Sequence, residues 1–282
     1  MGISIRLRIR RKLAAVAAAA VATGLLGGAV GCAGGLGGAV SGGTASGSGT
    51  GALGASAPGR SASPRPTSQA NDGVPAVGRS GAAAALDWRT ASGGRTVALT
   101  FDDGPDPVWT PRVLDVLARY HAHAVFCEIG PQASANPALV RRILAAGDRL
   151  CDHTVHHDEA MHRLPAPRMT YEITGAQRMI QTAGGPGTRV GWFRAPGGDF
   201  TPTIRRIAAG HGMRPLAWTV DTRDWSRPGV AAILAHVRAE LRPGGIVLMH
   251  DGGGNREETV AALRQLLPWL QQQGFRLDFP AA

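Results

Sequence analysis

The amino-acid sequence predicts an α/β fold, a distorted (β/α) barrel of seven parallel strands, over residues 93–282. Short apolar runs alternate with segments of helical spacing, which is the order that parallel strands joined by helices require. These runs contain few polar residues, as expected of strands that are covered on both faces. The 190 residues available favour fewer strands than the eight of a complete barrel.

The elements follow each other in a regular order. The predicted strands cover residues 96–101, 124–129, 149–151, 191–193, 215–220 and 246–249. A capping residue followed by proline marks helix starts at Thr110-Pro111, Asn136-Pro137 and Thr201-Pro202, and a further helix is expected around Val230–Leu241. Titratable residues follow the carboxyl ends of five strands, which form the edge where parallel barrels assemble their active sites.

The N-terminal part of the chain differs from the predicted domain in composition. Residues 1–92 contain nine basic and two acidic residues, so most of the formal net charge of +10 lies there. The predicted domain contains 21 basic and 18 acidic residues, and this balance argues against nucleic-acid binding, which needs a dense basic face. Residues 33–92 are rich in Gly, Ser, Ala, Thr and Pro, which predicts a disordered linker because they bury little apolar surface.

Residues 1–32 have the organisation of an export signal. A basic cluster precedes an uncharged apolar run from Leu13 to Val30. The run ends at Ala29-Val30-Gly31-Cys32, which resembles the lipobox of bacterial lipoproteins, in which the Cys is lipidated after cleavage. Cleavage without lipidation and an uncleaved anchor are the alternatives. We therefore expect an exported protein, either extracellular or attached through Cys32 to the outer face of the membrane.

Two histidines and two adjacent acids suggest a metal centre. His153 and His157 are four positions apart, which places both imidazoles on one face of a helical turn and points His156 away from them. This spacing suits two ligands of one metal ion, and Asp102 or Asp103 supplies a carboxylate as the third. The other acid would then be free to act as a general base. Taken alone, the Asp-Asp-Gly-Pro segment could also be a tight turn.

Five segments combine such titratable residues with Gly, Pro or Trp. In chain order they are Thr100-Phe101-Asp102-Asp103-Gly104, His153-Thr154-Val155-His156-His157, Arg194-Ala195-Pro196-Gly197-Gly198, Asp221-Thr222-Arg223-Asp224-Trp225 and Leu248-Met249-His250. This ordered set resembles the motifs of the polysaccharide deacetylases, carbohydrate esterase family 4, whose shared region is the NodB homology domain. The resemblance implies a metal-dependent hydrolase that removes N-acetyl groups from N-acetylglucosamine-containing glycans such as peptidoglycan or chitin-like chains.

The resemblance also implies how the base and the metal ligands are divided. Asp102 would be the catalytic base, with its carboxylate held by Arg194. Asp103, His153 and His157 would bind one divalent ion, for which Zn²⁺ is the expected identity and Co²⁺ or another divalent ion the alternative.

The remaining motif residues are assigned to the acid and to the substrate pocket. The family pattern makes His250 the general acid, tuned by Asp224. Trp225 and Leu248 would line the pocket for the acetyl group. Gly197 would contribute its backbone N–H to the oxyanion hole.

Two positions depart from the family pattern. Members of the family often carry an aromatic residue where Gly197 stands, so the glycine keeps the N–H donor but removes a wall of the substrate groove. Asp152 occupies a position that is commonly Asn. The first departure concerns the choice of sugar, while the reaction itself is expected to be unchanged.

Cys127 and Cys151 are the cysteines of the predicted domain. They lie on successive predicted strands, so their Cα atoms can come within disulfide range. Two thiols in an exported protein are also expected to pair, and the alternative is two buried free thiols.

Three alternative functions are open on the sequence alone. The same residues could remove O-acetyl groups, as an acetylxylan esterase does. A catalytically inactive glycan-binding module would need neither Asp102 nor His250, and both are present. A metal-binding structural domain would need four protein ligands, and three are identified. We expect a monomer that acts on an acetylated polysaccharide.

Overall fold

One parallel sheet organises residues 84–281, which are the residues that the structure, a computed structural model, describes. The strands are β1 (Thr96–Asp102), β2 (Val125–Glu128), β3 (Arg149–Asp152), β4 (Val190–Phe193), β5 (Arg214–Pro215), β6 (Val220–Asp221), β7 (Gly245–His250) and β8 (Arg276–Leu277). Seven strands follow one path in the order β5-β4-β3-β2-β1-β7-β6, all pairs being parallel, and β8 pairs with β1. The predicted distorted barrel with seven parallel strands is therefore confirmed, with β8 as an unpredicted addition.

The sheet differs from the prediction where the chain runs from β5 to β6. The sequence suggests one strand over residues 215–220, whereas the structure has two strands of two residues each. These strands lie at opposite ends of the path and are not paired with each other within the described residues. The barrel is therefore open between them.

The connections between the strands are mostly helical. They include α1 (Trp109–Arg119), α2 (Gly130–Ala135), α3 (Pro137–Ala145), α4 (Ala166–Gly184), α5 (Pro202–Gly210), α6 (Val230–Glu240) and α7 (Glu257–Gln272). The predicted cap at Thr201 is present, since its hydroxyl accepts the N–H of Ile204. The predicted cap at Thr110 is wrong because α1 begins at Trp109, so that Thr110 lies inside the helix, where its hydroxyl donates to Asp251. No helix in this part of the chain has the length and apolarity needed to cross a membrane.

Strand β1 lies in the centre of the sheet and is buried along its whole length. Because successive side chains of a strand point to opposite faces, Leu99 and Phe101 pack in the core that contains the helices, whereas Ala98 belongs to a smaller cluster on the other face. Thr100 and Asp102 share the face of Ala98. The alternation therefore directs Asp102 into the barrel.

The disulfide lies in this smaller cluster. Cys127 on β2 and Cys151 on β3 are register partners, and the structure joins their sulfur atoms. Parallel pairing brings their Cα atoms to 4.1 Å, so the bond crosses directly between two neighbouring strands. It fixes β2 to β3 immediately before Asp152 and His153.

The folded domain begins before residue 93, where the sequence analysis places its start. Asp87 accepts two hydrogen bonds of 2.6 Å from the Arg214 guanidinium, and its backbone bridges to the segment after β5. Local composition does not reveal this partner because it lies 127 residues further along the chain. Residues 1–83, with the predicted signal, Cys32 and most of the predicted linker, lie outside the described residues.

The buried carboxyl group of Asp148 allows the packing of the sheet to be tested separately from the pocket. Asp148 lies before β3, at the end of the sheet opposite the carboxyl ends of the strands. Its carboxylate accepts the N–H of Ala124 at 2.8 Å. Burial raises the pKa of Asp148 from 3.8 to about 7 despite this hydrogen bond. Ionisation of Asp148 therefore costs the folded state increasing stability as the pH rises from about 4 to 7.

We predict that Asp148→Asn, which keeps the acceptor and cannot ionise, gains stability relative to the wild type between pH 4 and pH 8. Urea unfolding midpoints at both pH values measure this gain. Asp115→Asn, at an exposed position on α1, is the control and should show no pH-dependent gain. A difference for Asp148→Asn that does not change with pH would contradict the assignment.

Candidate active site

The carboxyl ends of the strands surround one pocket of about 330 Å³. Most of the residues that the sequence singles out line it. The lining residues are Asp102, Asp103, His153, His157, Glu159, Ala195, Gly197, Trp218, Asp221, Trp225, Leu248 and His250. Arg194 and Asp224 are buried behind this lining.

Asp103, His153 and His157 form a group that could hold a metal ion. One ligand atom from each lies within 4.8 Å of the other two. Oδ1 of Asp103 is 3.6 Å from Nε2 of His153 and 3.2 Å from Nε2 of His157. This oxygen is buried and has no hydrogen-bond partner among residues 84–281. A buried carboxylate oxygen without a donor, facing two imidazole nitrogens, fits a divalent cation.

The orientation of His153 is set by the strand next to it. Its Nδ1 is 2.8 Å from the backbone carbonyl of Arg194, so Nδ1 carries the proton and the lone pair of Nε2 faces Asp103. Burial lowers the pKa of His153 to about 3, against the opposing effect of Asp103. The ring is therefore neutral at physiological pH, as a metal ligand must be.

The two histidines do not share a helical turn, and that prediction is wrong. Residues 153–157 form a loop in which Thr154 has φ 70° and His157 has φ 53°, both in the left-handed region. The Thr154 hydroxyl accepts the N–H of His157 at 3.1 Å and stabilises this path. His156 points away from the group, as predicted, and its Nδ1 is 2.9 Å from Oε1 of Glu172.

Asp102 is held by a fully buried guanidinium. Nη1 of Arg194 donates to Oδ1 of Asp102 at 2.6 Å and to the hydroxyl of Thr100 at 2.9 Å. Nε of Arg194 donates to the carbonyl of Leu216 at 3.2 Å. These contacts leave Oδ2 of Asp102 facing the pocket side, 3.7 Å from Nε2 of His153.

His250 is held by a second buried carboxylate. Asp224 accepts the backbone N–H of His250 at 2.9 Å and lies 2.7 Å from Nδ1 of its ring, while Thr259 donates to the same carboxylate. Burial alone would lower the pKa of His250, but the hydrogen bond and the charge of Asp224 raise it to about 9. Burial would raise the pKa of Asp224, and the contacts with His250 reverse this effect and lower it. The pair is therefore an imidazolium and a carboxylate at neutral pH.

Asp251 supports the loop that carries Asp103. Its buried carboxyl group accepts the hydroxyl of Thr110 at 2.5 Å and lies against Gly104, where a Cβ atom would be only 2.6 Å from either carboxyl oxygen. Glycine is therefore required at position 104. Burial raises the pKa of Asp251 to about 7.

The wall of the pocket contains residues with different exposure. Trp225 is 48% exposed at its rim and Leu248 is buried at its base. Gly197 lies in a turn with φ +59°. Trp218 and Glu159 also contribute, and the sequence analysis does not assign them. Trp218 could have been found as the aromatic residue three positions before the fourth motif, whereas no local signal distinguishes Glu159.

Comparison with known proteins identifies the family. Residues 89–216 match the family model described as polysaccharide deacetylase. The chain is 41% identical over 199 residues to a chitooligosaccharide deacetylase of Sinorhizobium fredii, covering 66% of this chain and 91% of that protein. It is 38% identical over 199 residues to a peptidoglycan-N-acetylglucosamine deacetylase of Bacillus cereus, covering 68% of this chain and 89% of that protein.

A solved structure has the same fold. The wild-type Bacillus anthracis protein described as a CE4 family pseudoenzyme is 29% identical, with a TM-score of 0.63, and the match covers 68% of this chain and 66% of that one. The two relatives are matched over about nine tenths of their own length, and the solved structure shares the fold. The chain belongs to the polysaccharide deacetylase family, carbohydrate esterase family 4.

Proposed function

We propose that this protein is a metal-dependent N-deacetylase that removes acetyl groups from N-acetylglucosamine-containing glycans, with peptidoglycan or chitin-like oligosaccharides as substrates. One observation carries the proposal. A carboxylate held by Arg194 and an imidazolium held by Asp224 face the same pocket as a three-residue metal-binding group. The names of the two curated relatives support the substrate class.

The metal-binding group answers the first difficulty of this reaction, which is that an acetamide carbonyl is a poor electrophile. A divalent ion on Asp103, His153 and His157 would polarise that carbonyl and make water more acidic. Two imidazoles and one carboxylate suit Zn²⁺, with Co²⁺ as the alternative. Three protein ligands, rather than four, leave room for substrate, as in catalytic sites.

Asp102 acts as the base in this proposal. Its carboxylate takes a proton from the attacking water. Arg194 holds one oxygen of the carboxylate through a hydrogen bond of 2.6 Å and so fixes the direction of the other. The N–H of Gly197 is the donor that would stabilise the oxyanion as it forms. The acetyl methyl group would lie against Trp225 and Leu248.

His250 answers the second difficulty, which is that an amine leaves poorly as an anion. Its ring donates a proton to the nitrogen as the carbon–nitrogen bond breaks. Asp224 holds the Nδ1 side of the ring, so the Nε2 proton is the one available to substrate. Water is the nucleophile, and no covalent intermediate on the protein is required.

The place of action is also part of the proposal. The basic and apolar leader of residues 1–32 supports export, either to the medium or to the outer face of the membrane through Cys32. The disulfide between Cys127 and Cys151 supports the same conclusion, since such bonds persist in oxidising compartments. The proposed mechanism assigns no step to a residue of a second copy, and a monomer is therefore the state that we propose.

Acetate release tests the proposed activity. We expect the purified protein to release acetate from chitooligosaccharides or peptidoglycan, to lose this activity in chelator, and to regain it with Zn²⁺ or Co²⁺. Release from acetylated xylan alone would identify an O-acetyl esterase. Glycan binding without release in the metal-loaded protein would identify a binding module and reject the proposal.

Substitutions of the two adjacent acids, Asp102 and Asp103, are expected to reduce activity for different reasons. Asp102→Asn should keep its metal and lose about 10²–10⁴-fold in turnover, the usual contribution of a general base. Asp103→Asn should lose metal affinity, with part of its activity returning at high metal concentration. Bound metal and acetate release are measured side by side for both variants. The reverse pattern would exchange the two roles.

The pH profile tests the acid. Because His250 must be protonated and its pKa is about 9, we expect kcat/KM to fall as the pH rises through about 9. Asp224→Asn removes the charge that raises this pKa, so the alkaline limb should move to lower pH. Asp115→Asn, with the same change of charge on the surface, should not move it. An unmoved limb in Asp224→Asn would show that another group donates the proton.

A further inference from the structure

The turn after β4 leaves a space beside the pocket that a neighbouring side chain fills. Gly197 has φ +59°, where a side chain would be strained. A Cβ atom at this position would lie 3.1 Å from Cβ, 3.2 Å from Cγ and 3.5 Å from Cδ of Glu159. The side chain of Glu159 therefore occupies space next to Gly197 that a larger residue would fill, and it lines the pocket.

An aromatic ring packs closely against Gly198, the next residue of the turn. A Cβ atom on Gly198 would lie 3.0 Å from Cη2 of Trp218, which also lines the pocket. The groove at this turn is therefore bounded by a ring that can support the apolar face of a sugar and by a carboxylate that can bind its polar substituents. The wall that Gly197 lacks is replaced by a negatively charged one.

The charge of Glu159 is not balanced by a neighbour. Within residues 84–281, no side-chain nitrogen of Lys, Arg or His lies within 4.0 Å of its carboxylate, nor of that of Asp221 in the same lining, which accepts only a backbone N–H from Arg223. Asp102 and Asp224, in contrast, are each paired with a cation. The exposed rim therefore carries free negative charge, which a cationic substituent on the glycan would neutralise.

Amino sugars supply such a cation. Hydrolysis of an acetamide breaks its carbon–nitrogen bond with water and gives acetate and an amine, which takes up a proton at neutral pH. A chain that has lost one acetyl group therefore carries an ammonium group next to acetyl groups that remain. Each turnover of the proposed reaction would create the group that the rim attracts.

We infer that Glu159 determines specificity by binding the ammonium group of a glucosamine unit beside the acetylated unit in the pocket. This inference rests on the proposed function for its choice of glycan. The protein then prefers partially deacetylated chains to fully acetylated ones. Glu159 acts on binding and takes no part in bond cleavage.

Binding of two chitooligosaccharides of equal length tests this inference, one fully acetylated and one with a single glucosamine unit. Calorimetry at low salt on the Zn²⁺-loaded Asp102→Asn protein, which is expected to keep its metal and to turn over slowly, should give about two- to fivefold tighter binding of the second, the range of an exposed ion pair. This preference should decrease as salt is raised. Glu159→Gln should remove it, and Glu159→Lys should reverse it.

Glu240→Gln is the matched control, because Glu240 ends α6 at the opposite end of the sheet and undergoes the same change of charge. Made in the Asp102→Asn background, like the Glu159 variants, it should leave the preference unchanged. A preference that persists after Glu159→Gln, or equal affinity of the Asp102→Asn protein for both chains, would overturn the inference. Acetate release is measured separately, so a Glu159-dependent preference without release would reject the proposed function and leave the inference standing.

Discussion

The buried ion pair between Arg194 and Asp102 connects the barrel to the site. Arg194 is fully buried, and its guanidinium contacts β1 through Asp102 and Thr100, and the segment after β5 through the carbonyl of Leu216. Its backbone carbonyl also orients His153. Removing one partner of such a pair leaves an uncompensated buried charge, at a cost of about 3–5 kcal/mol. The direction of the Asp102 carboxylate and the packing of β1 against the segment after β5 therefore depend on the same guanidinium.

The two buried ion pairs of the pocket are brought together by the pairing of neighbouring strands. Asp102 at the end of β1 is the register partner of His250 at the end of β7. Each has a buried partner of opposite charge, Arg194 for Asp102 and Asp224 for His250, and Asp224 raises the pKa of the imidazole to about 9. The parallel register therefore places the Asp102 carboxylate and the His250 ring side by side, while each is held from behind by a different buried partner.

The sequence predicts the features that local patterns encode. Apolar runs of strand length identify β1 and β7, and the titratable residues after them identify the active edge of the barrel. The sequence does not reveal features that depend on distant partners. Asp87 is joined to the domain by Arg214 and by the backbone after β5, and the close packing of Glu159 against the turn uses the space that Gly197 leaves. Spacing was also misleading for the histidines, since four positions in a loop can bring two rings together as well as a helical turn does.

The backbone of the metal-binding group is itself unusual, and this bears on how the group is prepared. Asp103 and His157 both have positive φ, at 74° and 53°, and so does Thr154 between the two histidines. Each such conformation costs about 1–3 kcal/mol in a residue other than glycine, and it persists only where its surroundings enforce it.

Those surroundings can be identified on both sides of the group. The loop of Asp103 packs so closely against its surroundings that a side chain at position 104 or 252 would not fit. The Thr154 hydroxyl accepts the N–H of His157 and fixes that part of the backbone. The ligands are therefore directed by packing of the protein before any ion binds. An ion that binds at such a site does not have to order its ligands. Its binding free energy can offset the conformational cost of the positive φ angles in the ligand loops.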